Sequence, residues 1–250
     1  MPSSDNHQQR PHQPPRQQRQ PYKSTLRLNK TLALYLGVSR READDMIAAS
    51  RVQVDGKTAT LGERISPTSV IYVDSKEIKP TKYLTYLALN KPVGYISSRA
   101  RQDSTPTIYE LLPKEYKHLK TAGRLDKDSS GLMLLSNDGD WVLKMTHPKY
   151  EKVKIYEVEL DKPLEPLHQQ MIADFGVNLP DGRSQLGLTA LGSKRKWQVT
   201  MYEGRNRQIR RTFGALGYTV TKLHRTQLDA YQLGALQPGE WQEIKSATKH

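Results

Sequence analysis

A chain of 250 residues with no cysteine excludes disulfides, thiolate metal sites and cysteine nucleophiles. Its 39 Lys and Arg against 26 Asp and Glu leave a formal net charge of +13, which favours a polyanionic partner, either a phosphate backbone or an acidic membrane surface. No stretch approaches the ~20 apolar residues of a membrane span, the first residues lack the apolar core of a secretory signal, and the histidines show no H-x-x-x-H pair for zinc. The expectation is a cytoplasmic protein without metal.

Residues 1–24 are rich in Gln, Pro and Arg with almost nothing to bury, and read as a disordered basic arm. Leu28, Leu32 and Leu36 then recur at fourfold spacing and predict a helix ended by Gly37. Ser39 and Glu42 form an S-x-x-E capping box for a second helix with Ala43 and Ile47 on one face. Val52 and Val54 alternate before Asp55-Gly56, a tight-hairpin signal, and a strand over Val70–Val73 completes a small helix–helix–sheet domain over 25–79. Arg27, Lys30, Arg40, Arg41 and Arg51 surround its helices and are the candidate nucleic-acid contacts. Arg40 and Arg41 stand at a helix start, where backbone N–H groups also attract phosphate. Such contacts position a nucleic acid without reading its sequence.

Lys79-Pro80-Thr81-Lys82 reads as a linker to a second domain over 83–245. There, strands are expected in YLTYLALNKP, KPVGYISS, GLMLLS, KIYEVEL, KWQVTMYEG and YTVTKLHR. Helices are expected near Thr107–Leu112, near Trp141–Met145, across Pro166–Phe175 and over 205–216. Irregular alternation without βαβ spacing points to an α+β fold with a mixed, largely antiparallel sheet.

Within GRLDKDSSG (123–131), Asp126 lies in a loop that enters the apolar strand Leu132–Leu135; it either presents a carboxylate at the sheet edge or caps a local turn. Tyr156 and Ile155 point to opposite faces of their strand, so only one of them enters a common core, and Tyr156 on the other face is placed to line a cleft floor. Ile209, Phe213 and Leu216 define the buried stripe of the arginine helix. At roughly 100° per residue, Arg207 and Arg211 fall on the solvent side. Arg210 falls at the margin, the arginine best placed to meet an acid in a cleft, while Arg205, Arg207 and Arg211 contact phosphate or water. Lys91 either braces a nearby loop or reaches a phosphate. Asp138 and Asp140 sit in a turn and helix cap and do not make a cation site. His147 and His224 have no visible partners in sequence.

Residues LRLNKTLALYLGVSRREADDMIAASRVQVDGKTA resemble the S4-type RNA-binding domain. Five segments in order, ALNKPVGYISS (88–98), AGRLDKDSSGLMLLSNDGD (122–140), KIYEVEL (154–160), EGRNRQIRRTFGALGY (203–218) and LHRTQL (223–228), resemble the Rsu-type pseudouridine synthases of bacterial ribosomal RNA. The resemblance implies isomerisation of uridine to pseudouridine with Asp126 as nucleophile, Tyr156 as pocket tyrosine and Arg210 as the basic partner of the acid. It implies Arg124 as a holder of the flipped nucleotide, with Lys91, Arg207 and Gln208 as further substrate contacts, and no cofactor. The partner implied is ribosomal RNA or a pre-ribosomal particle, bound by a monomer. The wording EGRNRQIRR leans toward large-subunit RNA, with small-subunit RNA as the alternative. Two other readings stay open: a noncatalytic ribosome-assembly factor on the same fold, and a hydrolase, although retaining glycosidases need two paired carboxyls and no partner acid is evident.

Overall fold

The computed structural model describes residues 25–79, 84–101 and 103–246. The basic arm over 1–24 and positions 80–82 of the expected linker lie outside the described residues.

In the N-terminal unit the apolar spacing produces helices Leu28–Leu36 and Arg40–Ala48. Gly37 ends the first at φ 70, the left-handed conformation a residue without Cβ adopts freely. Ser39 starts the second with the expected reciprocal capping box to Glu42. Both helices lay Leu28, Leu32, Ala43 and Ile47 on a sheet ordered Lys57–Thr58, Val52–Val54, Ile71–Val73, Lys76–Ile78. The last of these strands, and the pairing of Leu26–Arg27 with Arg64–Ile65, were not anticipated, since neither segment alternates apolar and polar residues.

The rest of the chain is built on a nine-stranded sheet. Its main path runs Gly187–Ala190, Lys196–Met201, Lys154–Leu160, Val220–Leu228, Ser130–Ser136, Tyr86–Lys91, Trp241–Glu243. Strands Ser130–Ser136 and Tyr86–Lys91 are buried on both faces, which is why GLMLL reads as a continuous apolar run, whereas Lys154–Leu160 and Val220–Leu228 keep a partly exposed face. Leu87, Leu89, Met133 and Leu135 enter one core with Phe213, while Ala88, Leu132 and Leu134 enter another with Trp141 and Tyr231. The fold is α+β with a mainly antiparallel sheet.

Among the described residues the one parallel junction in this sheet joins Val220–Leu228 to Ser130–Ser136, through only two paired positions, His224 with Ser130 and Arg225 with Gly131. A Cβ at Gly131 would lie 2.2 Å from the Arg225 carbonyl oxygen, and φ there is +107, so glycine alone permits the crossing. Buried Arg225 donates from Nε to the Leu132 carbonyl at 2.7 Å, and Ser130 Oγ lies 2.8 Å from His224 Nδ1, a partner for His224 that the sequence did not reveal.

Several element expectations shift. The strand foreseen in KPVGYISS does not form: the strand from YLTYLALNKP stops at Lys91, and Pro92 and the positive φ of Gly94 turn the chain, leaving one bridge between Ile96 and Thr107. The helix near 107–112 is a single 3-10 turn, Ile108–Glu110. The helix across 166–175 is α-helical only to Gln170 and continues as a π turn, Met171–Phe175.

Candidate active site

The loop that carries Asp126 is fastened on both sides. Leu125 is buried in the main core, and Ser97 Oγ donates to its carbonyl at 2.8 Å. Gly94 N donates to Lys127 O, and Ser129 is buried with its carbonyl accepting from Lys91 Nζ at 2.6 Å. Between these anchors the Asp126 carboxylate, 38% exposed, projects into a cavity of about 320 Å³. That size suits a small-molecule site.

Lys91 itself is fully buried and also donates to the Pro92 carbonyl. It does not line the cavity, which corrects the expectation of a substrate contact: both its reach and its charge are used beneath the Asp126 loop. Burial pushes its ammonium down to about 8, opposed by Asp126 and Asp128 nearby.

Tyr156 lines the same cavity. Across its strand Ile155 pairs with Gln227 and Tyr156 with Arg225, leaving Thr226 as the extra residue of a β-bulge. Bulges re-aim side chains, and this one falls at the cavity wall. The buried face of the strand is the one holding Tyr156, Val158 and Leu160; the expected separation of Tyr156 from the core is therefore wrong, and the cavity opens from the core face itself. The Tyr156 hydroxyl makes no hydrogen bond among the described residues.

The arginine segment departs most from the helical wheel. The helix is Gln208–Gly214, and Arg207 precedes it as N-cap at φ 46, so the roughly 100° rotation does not apply to it. Its guanidinium turns back over the acidic loop, 3.5 Å from Asp126 Oδ2 and forked on Asp128 at 3.1 and 2.8 Å. Arg210 approaches Asp128 at 3.3 Å and donates to the Asp128 and Val220 carbonyls at 2.8 and 2.7 Å. The acid that Arg210 meets is therefore Asp128, and the cation beside Asp126 is Arg207. Arg207, followed by Arg210, holds the Asp128 carboxyl below its ordinary range. Arg205 and Arg211 converge on Asp181, at 3.0 and 2.7 Å, which corrects the expectation that they face only water or phosphate.

Gln208 lines the cavity but is buried, with its amide committed to protein: it donates to Ser184 Oγ and Glu203 and accepts from Arg205 N. Its geometry is that of a brace for the 203–208 turn. Arg124 is exposed on the cavity wall, with no hydrogen-bond partner among the described residues. Sequence reasoning missed Lys154, whose half-buried ammonium reaches the cavity and donates to the Lys152 and Tyr202 carbonyls. Burial and Arg225 lower its pKa against Glu203. Strand alternation could have found it, since Lys154 lies two residues from Tyr156.

In the N-terminal unit the candidate contacts divide. Arg51 is bound to Asp74 at 2.6 Å and Lys30 to Asp140 of the large unit, whereas exposed Arg27, Arg40 and Arg41 have no side-chain partner among the described residues. Asp138 caps helix Gly139–Thr146, and among the described residues no three His, Cys, Asp or Glu gather as metal ligands. No described helix is long and apolar enough to cross a membrane.

A basic helix–helix–sheet unit thus stands beside a sheet whose cavity is lined by the carboxylates of Asp126 and Glu203, with Glu203 held by Arg205 at 3.2 Å. Residues 85–215 match the model of the RNA pseudouridylate synthases and residues 26–71 that of the S4 domain. The chain is 36% identical over 230 residues to an uncharacterized RNA pseudouridine synthase of Mycobacterium tuberculosis H37Rv, covering 88% of this chain and 90% of that one. It is 35% identical over 229 residues to the dual-specificity RNA pseudouridine synthase RluF of Escherichia coli O6:H1, covering 88% and 76%. A crystal structure of a pseudouridylate synthase superposes with TM-score 0.63 at 33% identity, covering 88% of this chain and 96% of that one. The chain belongs to the RNA pseudouridine synthase family, with an S4 domain ahead of the synthase fold.

Proposed function

We propose that this enzyme converts one uridine of ribosomal RNA to pseudouridine, in the large subunit, acting as a cytoplasmic monomer with its working units at 25–79 and 83–245. The observation that carries this reading is the shared cavity of Asp126, Tyr156 and Arg207. The reaction breaks the bond from ribose C1′ to N1, turns the ring and rejoins it through C5, the C5 proton being released to water and one proton taken up at the freed N1. Atoms and oxidation state balance without a cofactor. Asp126 is the nucleophile, forming a transient covalent adduct while the base reorients. Arg207 keeps its charge oriented, and Arg210 acts one step away by fixing Asp128. Tyr156 stacks on the base, because a phenol is a weak base near neutral pH. Arg124 and Lys154 face the same space and suit the phosphates of a nucleotide flipped from its stack, at a cost of roughly a few kcal/mol. Arg27, Arg40 and Arg41 add phosphate contacts that make binding salt-sensitive.

Paired-carboxyl hydrolysis is disfavoured because the other acids near Asp126 are held by arginines, Asp128 by Arg207 and Arg210 and the cavity-lining Glu203 by Arg205. The test uses RNA tritiated at uracil C5. Asp126→Asn is expected to lower label release by at least ~10³-fold while RNA affinity stays within about twofold; a variant that still releases label refutes the nucleophile. Mapping pseudouridines in ribosomal RNA from cells with and without the gene is expected to show one large-subunit site vanish. Loss of a small-subunit site instead overturns the choice of target.

A further inference from the structure

The S4 unit and the large unit meet along a seam with its own cavity, about 310 Å³, lined by Arg40, Tyr35 and Lys30 on one side and Lys120, Leu84 and Asp140 on the other. The contact is built closely. A Cβ at Gly37 would lie 3.3 Å from His118 Cβ, Arg40 Nη2 lies 4.0 Å from the Cβ position of Gly139, and Lys30 pairs with Asp140 across the seam. Arg99 reaches in from the large unit, donating to the Leu119 carbonyl at 3.0 Å and to that of His118, immediately beside Lys120.

Charge along this seam does not balance. Asp140 is taken by Lys30, and the Asp138 carboxylate by Tyr86 and by the N–H groups of its own helix. Glu42 accepts from Ser39 N at 2.6 Å as part of the helix cap. The Lys120 ammonium, half-buried, makes no hydrogen bond among the described residues. Burial lowers its pKa, and Arg40 and Arg99 lower it further, with Glu42 alone opposing. The seam thus gathers Lys30, Arg40, Lys120 and Arg99 against Asp138, Asp140 and Glu42, all three already engaged, and leaves Arg40 and Lys120 facing the cavity without an acid of their own, an arrangement that a bound anion relieves.

We infer that this seam is a binding site for an RNA phosphodiester, gripped by Arg40 from the S4 unit and by Lys120 from the synthase unit, both of which line its cavity. The inference rests on the reading of the substrate as RNA and extends it. A phosphate held by both units at once fixes their mutual orientation, and with it the path of the RNA from the S4 helices toward the Asp126 cavity.

The experiment measures binding of an unmodified ribosomal RNA transcript across a salt series, with tritium release at saturating RNA in parallel. Lys120→Gln is expected to raise Kd roughly tenfold and to flatten the slope of log Kd against log salt by ~0.9, with kcat unchanged. Lys120→Arg restores both. Lys120→Gln combined with Arg40→Gln loses less than the product of the single losses, because both residues hold one phosphate. The melting temperature of Lys120→Gln stays at or above that of wild type, since removing a charge beside two arginines relieves repulsion; a lower value together with weaker binding assigns Lys120 to folding and overturns the inference. Excess inorganic phosphate that weakens wild-type and Lys120→Gln binding equally also overturns it. So does a Lys120→Gln enzyme with wild-type Kd and slope, whether or not tritium is released. A wild-type enzyme that binds RNA without releasing label sinks the catalytic reading alone, and the slope still decides the seam.

Discussion

Around the synthase cavity, Arg205, Arg207, Arg210 and Arg211 each rest on a carboxylate of the same chain, whereas Arg27, Arg40 and Arg41 around the S4 helices touch none among the described residues. The charge is the same and the use is opposite. A guanidinium forked on an internal acid fixes the position of that acid and has little left for a phosphate, because a bidentate pair fills its donor geometry. An unpaired guanidinium keeps its full field for a ligand. Net charge of +13 counts both alike, so it indicates a polyanionic partner without showing which arginines meet it.

Four measurements sharpen this contrast. The largest effect concerns backbone. Gly131→Ala, which drives a Cβ into the Arg225 carbonyl at the parallel strand crossing, is expected to cost about 4 kcal/mol in urea unfolding. Gly56→Ala in the S4 hairpin, with nothing within 4 Å, costs about 1 kcal/mol for its positive φ alone. Equal losses would show that the strand crossing yields easily.

Lys91 represents a third use of a cation, held by carbonyls beneath the acid. Its folded pKa is near 8 against 10.5 for an ordinary lysine, so between those values the unfolded chain binds the extra proton. Wild-type stability should therefore rise with pH across that window relative to Lys91→Met, by on the order of 3 kcal/mol, and run parallel to it below. Parallel curves throughout would mean that the lysine is charged and solvated in the fold.

Arg207→Gln should lower kcat about 100-fold with Kd nearly unchanged, since it loosens the acid and leaves the RNA contacts in place. Arg41→Gln should do the reverse on a smaller scale, raising Kd about threefold at constant kcat. If Arg207→Gln changed only Kd, the division between internally paired and ligand-facing arginines would fail.

Local rules made much of this legible in the chain. The Ser39–Glu42 cap, the Asp55-Gly56 hairpin and the Leu28, Leu32, Leu36 stripe depend on neighbours within a few residues, and all three are present. Asp126, Arg124 and Tyr156 line one cavity; the family resemblance named all three, while the strand pattern alone put Tyr156 on the wrong face. The pairing of acids and arginines was not legible. It turns on Arg207 standing at φ 46 outside the helix and on Asp128 lying two residues beyond Asp126, features that a helical wheel continued one residue too far inverts. The same limit hid Lys91 and Gln208, whose polar ends are buried by segments distant in sequence. The Tyr156 bulge likewise depends on the register of Val220–Leu228, which no pattern within KIYEVEL encodes.

The crossing at Gly131 has a consequence for where this chain is free to vary. The Asp126 carboxylate hangs on a leash five residues long, tied at one end where two backbones nearly touch and braced from below by Lys91. Lengthening that leash would swing the acid out of the cavity, so the chain has little freedom there. The exposed Arg27, Arg40 and Arg41 of the S4 unit carry no such constraint, so the chain can vary there without moving the acid.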